Sequence, residues 1–160
     1  MTLHQLAERL GPGLRPWFFR AMNLYPPFVG AGIRITQVAP DCASFTVEMP
    51  LTPLNRNFVG THFGGSLYAM CDPFFMLILI VQLGPGYVVW DKSAQIAFRK
   101  PGKGRVRAHF AISAEEVARI REAVDADGKV EPTFEVDVLG EGGEVVAHVT
   151  KGLWVKRKAA

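Results

Sequence analysis

The residues with the clearest chemical potential lie in the stretch NFVGTHFGGSLYAMCD, which runs from Asn57 to Asp72. A glycine pair, Gly64 and Gly65, begins a run that is apolar on nearly every side, and Asp72 lies inside that run. An ionised carboxylate is rarely buried without a partner, because losing its water costs it several kcal/mol. The acid therefore predicts a chemical role or a specific partner at this point.

Together, these residue types fit the hydrolysis of an acyl group. Asp72 can act as a general base on water or as a direct nucleophile. The amides of Gly64 and Gly65, at the start of a helix, have no intrahelical partner and lie at the positive end of the helix dipole. They can hold the negative charge that develops on a carbonyl oxygen, and the missing Cβ atoms let that oxygen approach.

The spacing of these groups predicts a site shared between subunits. Eight residues separate Gly64 from Asp72, which corresponds to about 12 Å of rise along a helix. A base and an oxyanion donor must both lie within about 3 Å of one reacting centre. One helix cannot supply both, so we expect the glycines of one subunit to meet the acid of another across a two-fold dimer.

Each of these residues also has a purely structural explanation. Asp72 followed by Pro73 is a common helix start, so the acid could cap a second helical segment. The two glycines could serve close packing of the helix start, and Asn57 could be a turn residue. In this context His62 is more often structural than catalytic.

The order of predicted elements indicates an α+β fold. Helical patterns cover residues 2–23, interrupted by Gly11-Pro12-Gly13 and ended by Pro26-Pro27, then residues 64–83 and 113–124. Alternating apolar and polar residues predict six strands, at 32–38, 43–49, 87–99, 105–112, 133–139 and 144–156. Such alternation is typical of antiparallel strands with one covered face, and a helix that is apolar all round is best buried by a sheet wrapped around it.

This architecture and the motif between Asn57 and Asp72 resemble the hotdog fold of acyl-CoA thioesterases, in particular the phenylacetic-acid-degradation type. That family carries an asparagine, a glycine three residues later, a His-Gly-Gly at the helix start and an acid seven residues after the second glycine. Asn57, Gly60, Gly64, Gly65 and Asp72 fall at these spacings. The segment SAQIAFRKPGKG at 93–104 is similar to the strand and hairpin that follow in the family.

The segment THFGGSLYAMCDP, at 61–73, resembles most the corresponding segment of a little-characterised branch of hotdog proteins classed as thioesterases. The family histidine directly precedes the glycine pair, whereas Phe63 holds that position here and His62 comes one residue earlier. On a helix such a shift rotates a side chain by about 100°.

The resemblance implies one hotdog domain over residues 1–160, with a core at 30–156 and an N-terminal helical extension at 1–29. It implies Asp72, Gly64, Gly65 and Asn57 as catalytic residues, with Asn57 beside the acid to orient water or the thioester. It implies no cofactor beyond the coenzyme A portion of the substrate, and assembly as a homodimer or a dimer of dimers. The residues expected to contact substrate are His62, Phe63, Ser66, Tyr68, Arg99 and Lys100, of which the last two would attract coenzyme A phosphates.

Composition limits the other classes of function. The net charge of +3 comes from scattered basic residues, which does not favour nucleic-acid binding. Cys42 and Cys71 form neither a disulfide framework nor a metal motif, so no metal is expected. The uninterrupted apolar run at 73–81 is shorter than the roughly 20 residues of a membrane span, and the N-terminus lacks the order of a secretory signal, so a cytoplasmic protein is expected. A non-catalytic acyl-CoA-binding protein and an enoyl-CoA hydratase remain as alternatives to a thioesterase.

Overall fold

The computed structural model describes Gly11 and residues 13–158. Much of the predicted N-terminal helix therefore lies outside the described residues. The helices are α1 (Arg15–Ala21), α2 (Pro26–Ala31), α3 (Gly64–Ala69), α4 (Phe74–Leu83) and α5 (Ala114–Asp127), with a 3₁₀ turn at Met22–Leu24. The strands are β1 (Arg34–Val38), β2 (Ser44–Pro50), β3 (Tyr87–Phe98), β4 (Arg105–Ala111), β5 (Lys129–Val130), β6 (Thr133–Leu139) and β7 (Val145–Arg157).

All of these strands belong to one antiparallel sheet. Its order is β1-β2-β4-β6-β7-β3, and the two-residue strand β5 pairs separately with β7. The six predicted strands are confirmed, whereas β5 is too short to leave a periodic signal in the sequence. β3 lies at the end of the order and pairs on one side with β7, and no strand within residues 13–158 pairs with its other edge.

The predicted central helix is present, in two parts. α3 ends at Ala69 and α4 begins at Phe74, because Pro73 lacks an amide hydrogen and disfavours a helical conformation in the residue before it. Phe74 and Phe75 are buried and pack against rings from the sheet: Phe74 lies 4.8 Å from Phe110 between ring centroids. The sheet therefore covers one face of α4 with aromatic contacts.

By length and composition alone, Gly64–Leu83 would also suit a membrane span, unlike the shorter run considered above. Its packing is instead that of a core helix. The middle of the segment is interrupted between α3 and α4, and Phe74, Ile78 and Leu79 are each fully buried against the rest of the chain.

The N-terminal part differs from the prediction at one point. Pro26 and Pro27 do not simply end a helix; they begin α2, because proline at the first helical positions is preorganised and needs no intrahelical donor. α1 is fixed to the sheet by Phe19, whose buried ring meets Phe45 edge-on at 5.2 Å.

The predicted surface helix is confirmed as α5. The Ser113 hydroxyl accepts a hydrogen bond from the Glu116 amide at 3.2 Å, which satisfies one of the free donors of the first turn. The helix continues to Asp127, three residues further than predicted, and ends at Gly128 with a left-handed φ of 76°.

Candidate functional site

Asp72 lies in a cluster with two other polar side chains, in the short connection between α3 and α4. Its Oδ1 atom accepts hydrogen bonds from the Tyr68 hydroxyl at 2.6 Å and from the Lys151 Nζ at 2.6 Å. Lys151 also donates to the Tyr68 oxygen at 2.9 Å, so the three groups form a closed triangle. The partner expected for the acid is therefore the ammonium group of Lys151.

Lys151 comes from the middle of β7, where inward and outward residues alternate. Its side chain is only 1% exposed and points inward with those of Val149 and Leu153. A second carboxylate, that of Asp91 on the neighbouring strand β3, lies 3.2 Å from the same nitrogen. This contact is electrostatic, because Asp91 Oδ1 is buried without a well-aligned hydrogen bond. Two carboxylates thus share one buried ammonium.

The charges in the cluster set the ionisation of its members. Burial by itself would lower the pKa of Lys151, but hydrogen bonds to Asp72 and Tyr68 and the nearby carboxylate charges raise it, so the ammonium stays protonated. Burial raises the pKa of Asp91, and the ammonium partly offsets this effect. Burial and the hydrogen bond to Asp72 raise the pKa of the Tyr68 phenol, which remains a neutral donor.

The second oxygen of Asp72 is the chemically available one. Both hydrogen bonds from described residues go to Oδ1, and the side chain is 47% exposed in the single chain. The acid does not cap α4, whose first turn receives no side-chain hydrogen bond. Asp72 is therefore not a helix cap. Its Oδ1 atom is fixed by two hydrogen bonds, and its Oδ2 atom faces outward.

Gly64 and Gly65 begin α3, as predicted, and both are closely packed. A Cβ atom on Gly64 would come within 2.8 Å of the Phe98 ring, and one on Gly65 would overlap the Phe63 ring. Both rings are more than half exposed and can move, so packing favours glycine at these positions without requiring it. Within the described part of the chain, neither amide hydrogen is donated to another backbone oxygen, so both remain available as donors.

Asn57 organises the loop that precedes α3. Its Oδ1 accepts hydrogen bonds from the amides of Val59 and Thr61, at 3.1 and 3.0 Å. Its Nδ2 donates to the Thr61 hydroxyl at 2.9 Å and to the His62 carbonyl at 3.2 Å. Both ends of the side chain are thus engaged within the loop, which matches the turn-residue explanation.

His62 and Phe63 precede the helix in extended backbone, so their side chains point in opposite directions. The 100° rotation expected for a helix is wrong here for that reason. His62 is 3% exposed, its Nε2 lies 3.0 Å from the Gly104 carbonyl, and burial lowers its pKa despite that hydrogen bond. Phe63 is 56% exposed. The histidine therefore braces the hairpin after β3, while the phenylalanine reaches solvent.

An open cleft of about 670 Å³ lies beside the glycine pair. Gly64 lines it, together with three cationic side chains from the hairpin after β3: Arg99, Lys100 and Lys103. Ser66 is buried in the first turn of α3, and its amide donates to the Phe63 carbonyl at 3.0 Å.

Seven of the ten predicted site residues therefore fall into two groups, and Phe63, Gly65 and Ser66 belong to neither. Asn57, His62, Gly64, Arg99 and Lys100 surround the cleft, whose lining does not include Asp72. Asp72 and Tyr68 belong to the other cluster, with Lys151. In the described part of the chain, no group of three or more His, Cys, Asp or Glu side chains is placed to hold a metal ion.

Lys151 is the main residue that sequence reasoning missed. Its signal was present, because a lysine stands at an inward position of the alternating strand AHVTKGLWV, between Val149 and Leu153. Asp91 on β3 gave no comparable signal, because it lies where the register of β3 against β7 shifts.

Comparison with known proteins identifies the fold and the family. A search of curated protein sequences found no match. A probable thioesterase of unknown function from Pseudomonas aeruginosa superposes with a TM-score of 0.76 at 22% identity, over 87% of this chain and 93% of that one. A thioesterase from Haemophilus influenzae gives 0.67 at 16% identity, over 88% and 90%. A mutant of the phenylacetic acid degradation protein PaaI from Thermus thermophilus gives 0.57 at 23% identity, over 81% and 97%.

At these identities the structural similarity establishes the fold, and the expected hotdog architecture is confirmed. A family model matches residues 15–155, which is most of the chain. The protein has the hotdog fold and belongs to the family described as Domain of unknown function (DUF4442).

Proposed function

We propose that this protein is a cytoplasmic acyl-CoA thioesterase in which Asp72 provides the base or nucleophile and the amides of Gly64 and Gly65 bind the oxyanion. The observation that carries the proposal is the Asp72 carboxylate itself. One oxygen is held by a buried ammonium and a phenol, and the other faces outward. Fixing a reactive group by surrounding hydrogen bonds is how active sites hold productive geometry.

In the proposed reaction Asp72 Oδ2 takes a proton from a bound water as the water oxygen attacks the thioester carbonyl carbon. The carbonyl π electrons move to the oxygen, where the amides of Gly64 and Gly65 stabilise the negative charge. Collapse of this intermediate breaks the carbon–sulfur bond. The coenzyme A thiolate leaves and takes up the proton held by Asp72, and the other product is the carboxylic acid.

Direct attack by the carboxylate is the alternative chemical route. Asp72 Oδ2 would displace the thiolate and form a mixed anhydride, which water then hydrolyses. In a single turnover in ¹⁸O-labelled water, attack of water on the anhydride at the Asp72 carbon would leave the label in the protein. General-base catalysis would leave it in the acid product alone.

A two-fold dimer would bring the two groups of site residues together. In one chain, the cleft beside Gly64 is separate from the Asp72 cluster. β3 is 12 residues long, and no described strand pairs with its second edge. Exposed strand edges of this length are usually covered. Large apolar side chains near this edge also face solvent: Trp90 is 66% exposed and Phe98 57%. We propose that β3 pairs with its symmetry mate and that two such dimers can associate further.

The cationic hairpin supports coenzyme A as the thiol part of the substrate. Arg99 and Lys100 lie at the cleft that Gly64 lines, and both are exposed. Phosphate groups of coenzyme A would be attracted to these charges, while the thioester reaches the glycine amides.

The central experiment compares Asp72→Asn with Asp91→Asn. Each variant removes one carboxylate charge from the same ammonium, but the Asp72 side chain is 47% exposed and that of Asp91 only 25%. We expect Asp72→Asn to lower kcat/KM for acyl-CoA hydrolysis by about 10²–10⁴-fold, the usual contribution of a general base. Asp91→Asn should retain most of the activity. Full hydrolysis by a folded Asp72→Asn protein, tested over short, aromatic and long acyl-CoAs, would eliminate the proposal.

Complementation tests the shared site. Gly64→Ala places a methyl group against the exposed Phe98 ring, which can move aside, so this variant should fold. Co-expressed with Asp72→Asn, it should recover about a quarter of wild-type activity, because half of randomly formed dimers hold one intact site of two. Recovery would be absent if each chain carries its own complete site.

A non-catalytic acyl-CoA-binding protein is the second candidate, and a specific observation favours it. Packing against the Phe63 and Phe98 rings gives the two glycines a structural explanation, and the Asp72–Lys151 pair would also serve as a purely structural ion pair. Tight binding of acyl-CoA without turnover in the wild-type protein would establish this function. An enoyl-CoA hydratase has less support, because His62 is almost fully buried and its Nε2 atom is engaged with the Gly104 carbonyl.

A further inference from the structure

A second groove, about 500 Å³ in volume, lies between the N-terminal helices and the face of α4 that the sheet leaves uncovered. Four residues of the central segment line one side of it and recur at helical spacing: Pro73, Met76, Leu77 and Ile80. The opposite side comes from α1 and the 3₁₀ turn. α4 is apolar at every position except Gln82, because one face enters the core and the other faces the groove.

The lining of this groove has almost no polar character. Among the described residues, no charged side chain lines the groove, and the Tyr25 hydroxyl is the one polar side-chain group. The walls include Met22 and Met76, whose unbranched side chains adapt to irregular apolar surfaces. Small-molecule sites have this size and an apolar lining, but they normally add polar groups that recognise polar atoms of the ligand. A plain hydrocarbon matches this lining best.

The roof of the groove is fixed to the sheet. Asn23, in the 3₁₀ turn, accepts a hydrogen bond from the Ile35 amide at 2.7 Å and donates to the Ile35 carbonyl at 3.1 Å. Phe19 anchors α1 in the core, while Leu24 lines the groove and stays 80% exposed. A preformed cavity binds a ligand without the cost of ordering its walls.

The groove also begins beside the candidate acid. Pro73, at one end of its α4 wall, directly follows Asp72, and Ile80 lies about 10 Å further along the helix. A chain lying in the groove would therefore run away from the proposed reacting centre.

We infer that this groove binds the aliphatic chain of the substrate, so that the N-terminal extension selects medium and long unbranched acyl groups. The inference rests on the proposed acyl-thioester substrate and adds its chemical class. An aryl or acetyl group would leave most of the groove unfilled.

The test uses thioether analogues, S-ethyl-CoA to S-dodecyl-CoA, titrated calorimetrically into the full-length protein. Each added methylene that is buried should tighten binding by about fourfold until the groove is full. Because thioethers cannot be hydrolysed, this measurement is independent of turnover. If affinity rises with chain length but no acyl-CoA is hydrolysed, the thioesterase proposal is wrong and the inference about the groove stands. If acyl-CoA is hydrolysed but affinity does not depend on chain length, the inference about the groove is wrong and the thioesterase proposal stands.

Two variants localise the effect. Leu77→Trp fills the groove and should reduce S-dodecyl-CoA affinity to that of S-ethyl-CoA, with S-ethyl-CoA unchanged. Leu24→Lys introduces a charge into the groove lining at an exposed position, so this variant should fold. It should weaken S-dodecyl-CoA binding at least tenfold. Val29→Trp, on the exposed surface of α2 outside the groove, is the matched control and should leave the series unaltered.

Two results would overturn the inference. One is that Leu24→Lys leaves the dependence on chain length intact. The other is that Leu24→Lys changes the oligomeric state, measured by light scattering, without affecting S-dodecyl-CoA. In that case the groove is a contact between copies of the chain.

Discussion

Polar side chains are hydrogen-bonded differently in the Asp72 cluster and in the loop before α3. In the loop, the Asn57 side chain and the His62 Nε2 atom are engaged by nearby groups, whereas His62 Nδ1 is buried and has no partner among the described residues. The amides of Gly64 and Gly65 are free donors there. In the cluster, the side chains are charged and one carboxylate oxygen is left over. The proposed chemistry would therefore rely on a side chain in the cluster and on backbone amides in the loop.

We expect the greatest loss of stability when the Lys151 ammonium is removed from the cluster. Lys151→Met leaves two carboxylates without their ammonium, and we expect the free energy of unfolding to fall by about 3 kcal/mol, near the lower limit for breaking a buried pair because Asp72 is half exposed. Urea denaturation measures this loss. Lys156→Met, at an exposed position of the same strand, should change stability little.

The stabilisation by Lys151 should also have a defined pH range. Its pKa is higher in the folded protein than the ordinary value of 10.5, so its contribution is complete below that value and is lost as the pH rises through the folded pKa. The difference in stability between wild type and Lys151→Met should therefore stay constant from pH 6 to pH 9. A difference that disappears within that range would show that the cation does not hold the cluster.

The next effect concerns the phenol that bridges acid and lysine. Tyr68→Phe removes one of the two hydrogen bonds to Asp72 Oδ1 and should lower kcat about tenfold, equivalent to roughly 1.4 kcal/mol, with little change in KM. Tyr87→Phe, which loses a comparable hydrogen bond to Asp125 on the surface, is the control. Equal activity in both variants would mean that the fixed oxygen is irrelevant to turnover.

On the loop side, His62 should make stability sensitive to acid. Burial lowers its pKa below the ordinary 6.5, so from that value downward the unfolded chain takes up a proton that the folded chain excludes, and stability falls with pH. Denaturation midpoints at pH 7.5 and 5.5 should differ less in His62→Gln than in wild type. His109→Gln, at an exposed position, should leave the wild-type difference unchanged.

The smallest effect is expected at the mouth of the cleft. Arg99→Ala should raise KM for acyl-CoA about two- to fivefold at low salt, and the change should shrink as salt screens the exposed charge. Arg107→Ala, an exposed arginine of β4 outside the cleft lining, should not alter KM. A salt-independent change at Arg99 would point to altered structure of the hairpin instead.

Much of the architecture could be predicted because it depends on local patterns. Alternation fixed the six longer strands, and the Ser113 cap with Gly128 defined α5. The interruption between α3 and α4 was harder to place, since Asp72-Pro73 is compatible with a kink, a cap or a new helix, and side-chain contacts choose among them. The start of α2 at Pro26 was missed because a proline pair can end one helix or begin another.

Local residue order is enough to show that an acid stands in an apolar segment, eight residues after Gly64, and that it needs a partner. The identity of the partner depends on long-range contacts, because Lys151 lies 79 residues further along the chain and reaches Asp72 through the pairing of β7 within the sheet. Likewise, the apolar face of Met76 and Leu77 is visible as spacing, but the groove exists only where α1 and the 3₁₀ turn pack across it. Local periodicity reports which residues share a face, whereas contacts between distant strands and helices are set by how the whole core closes.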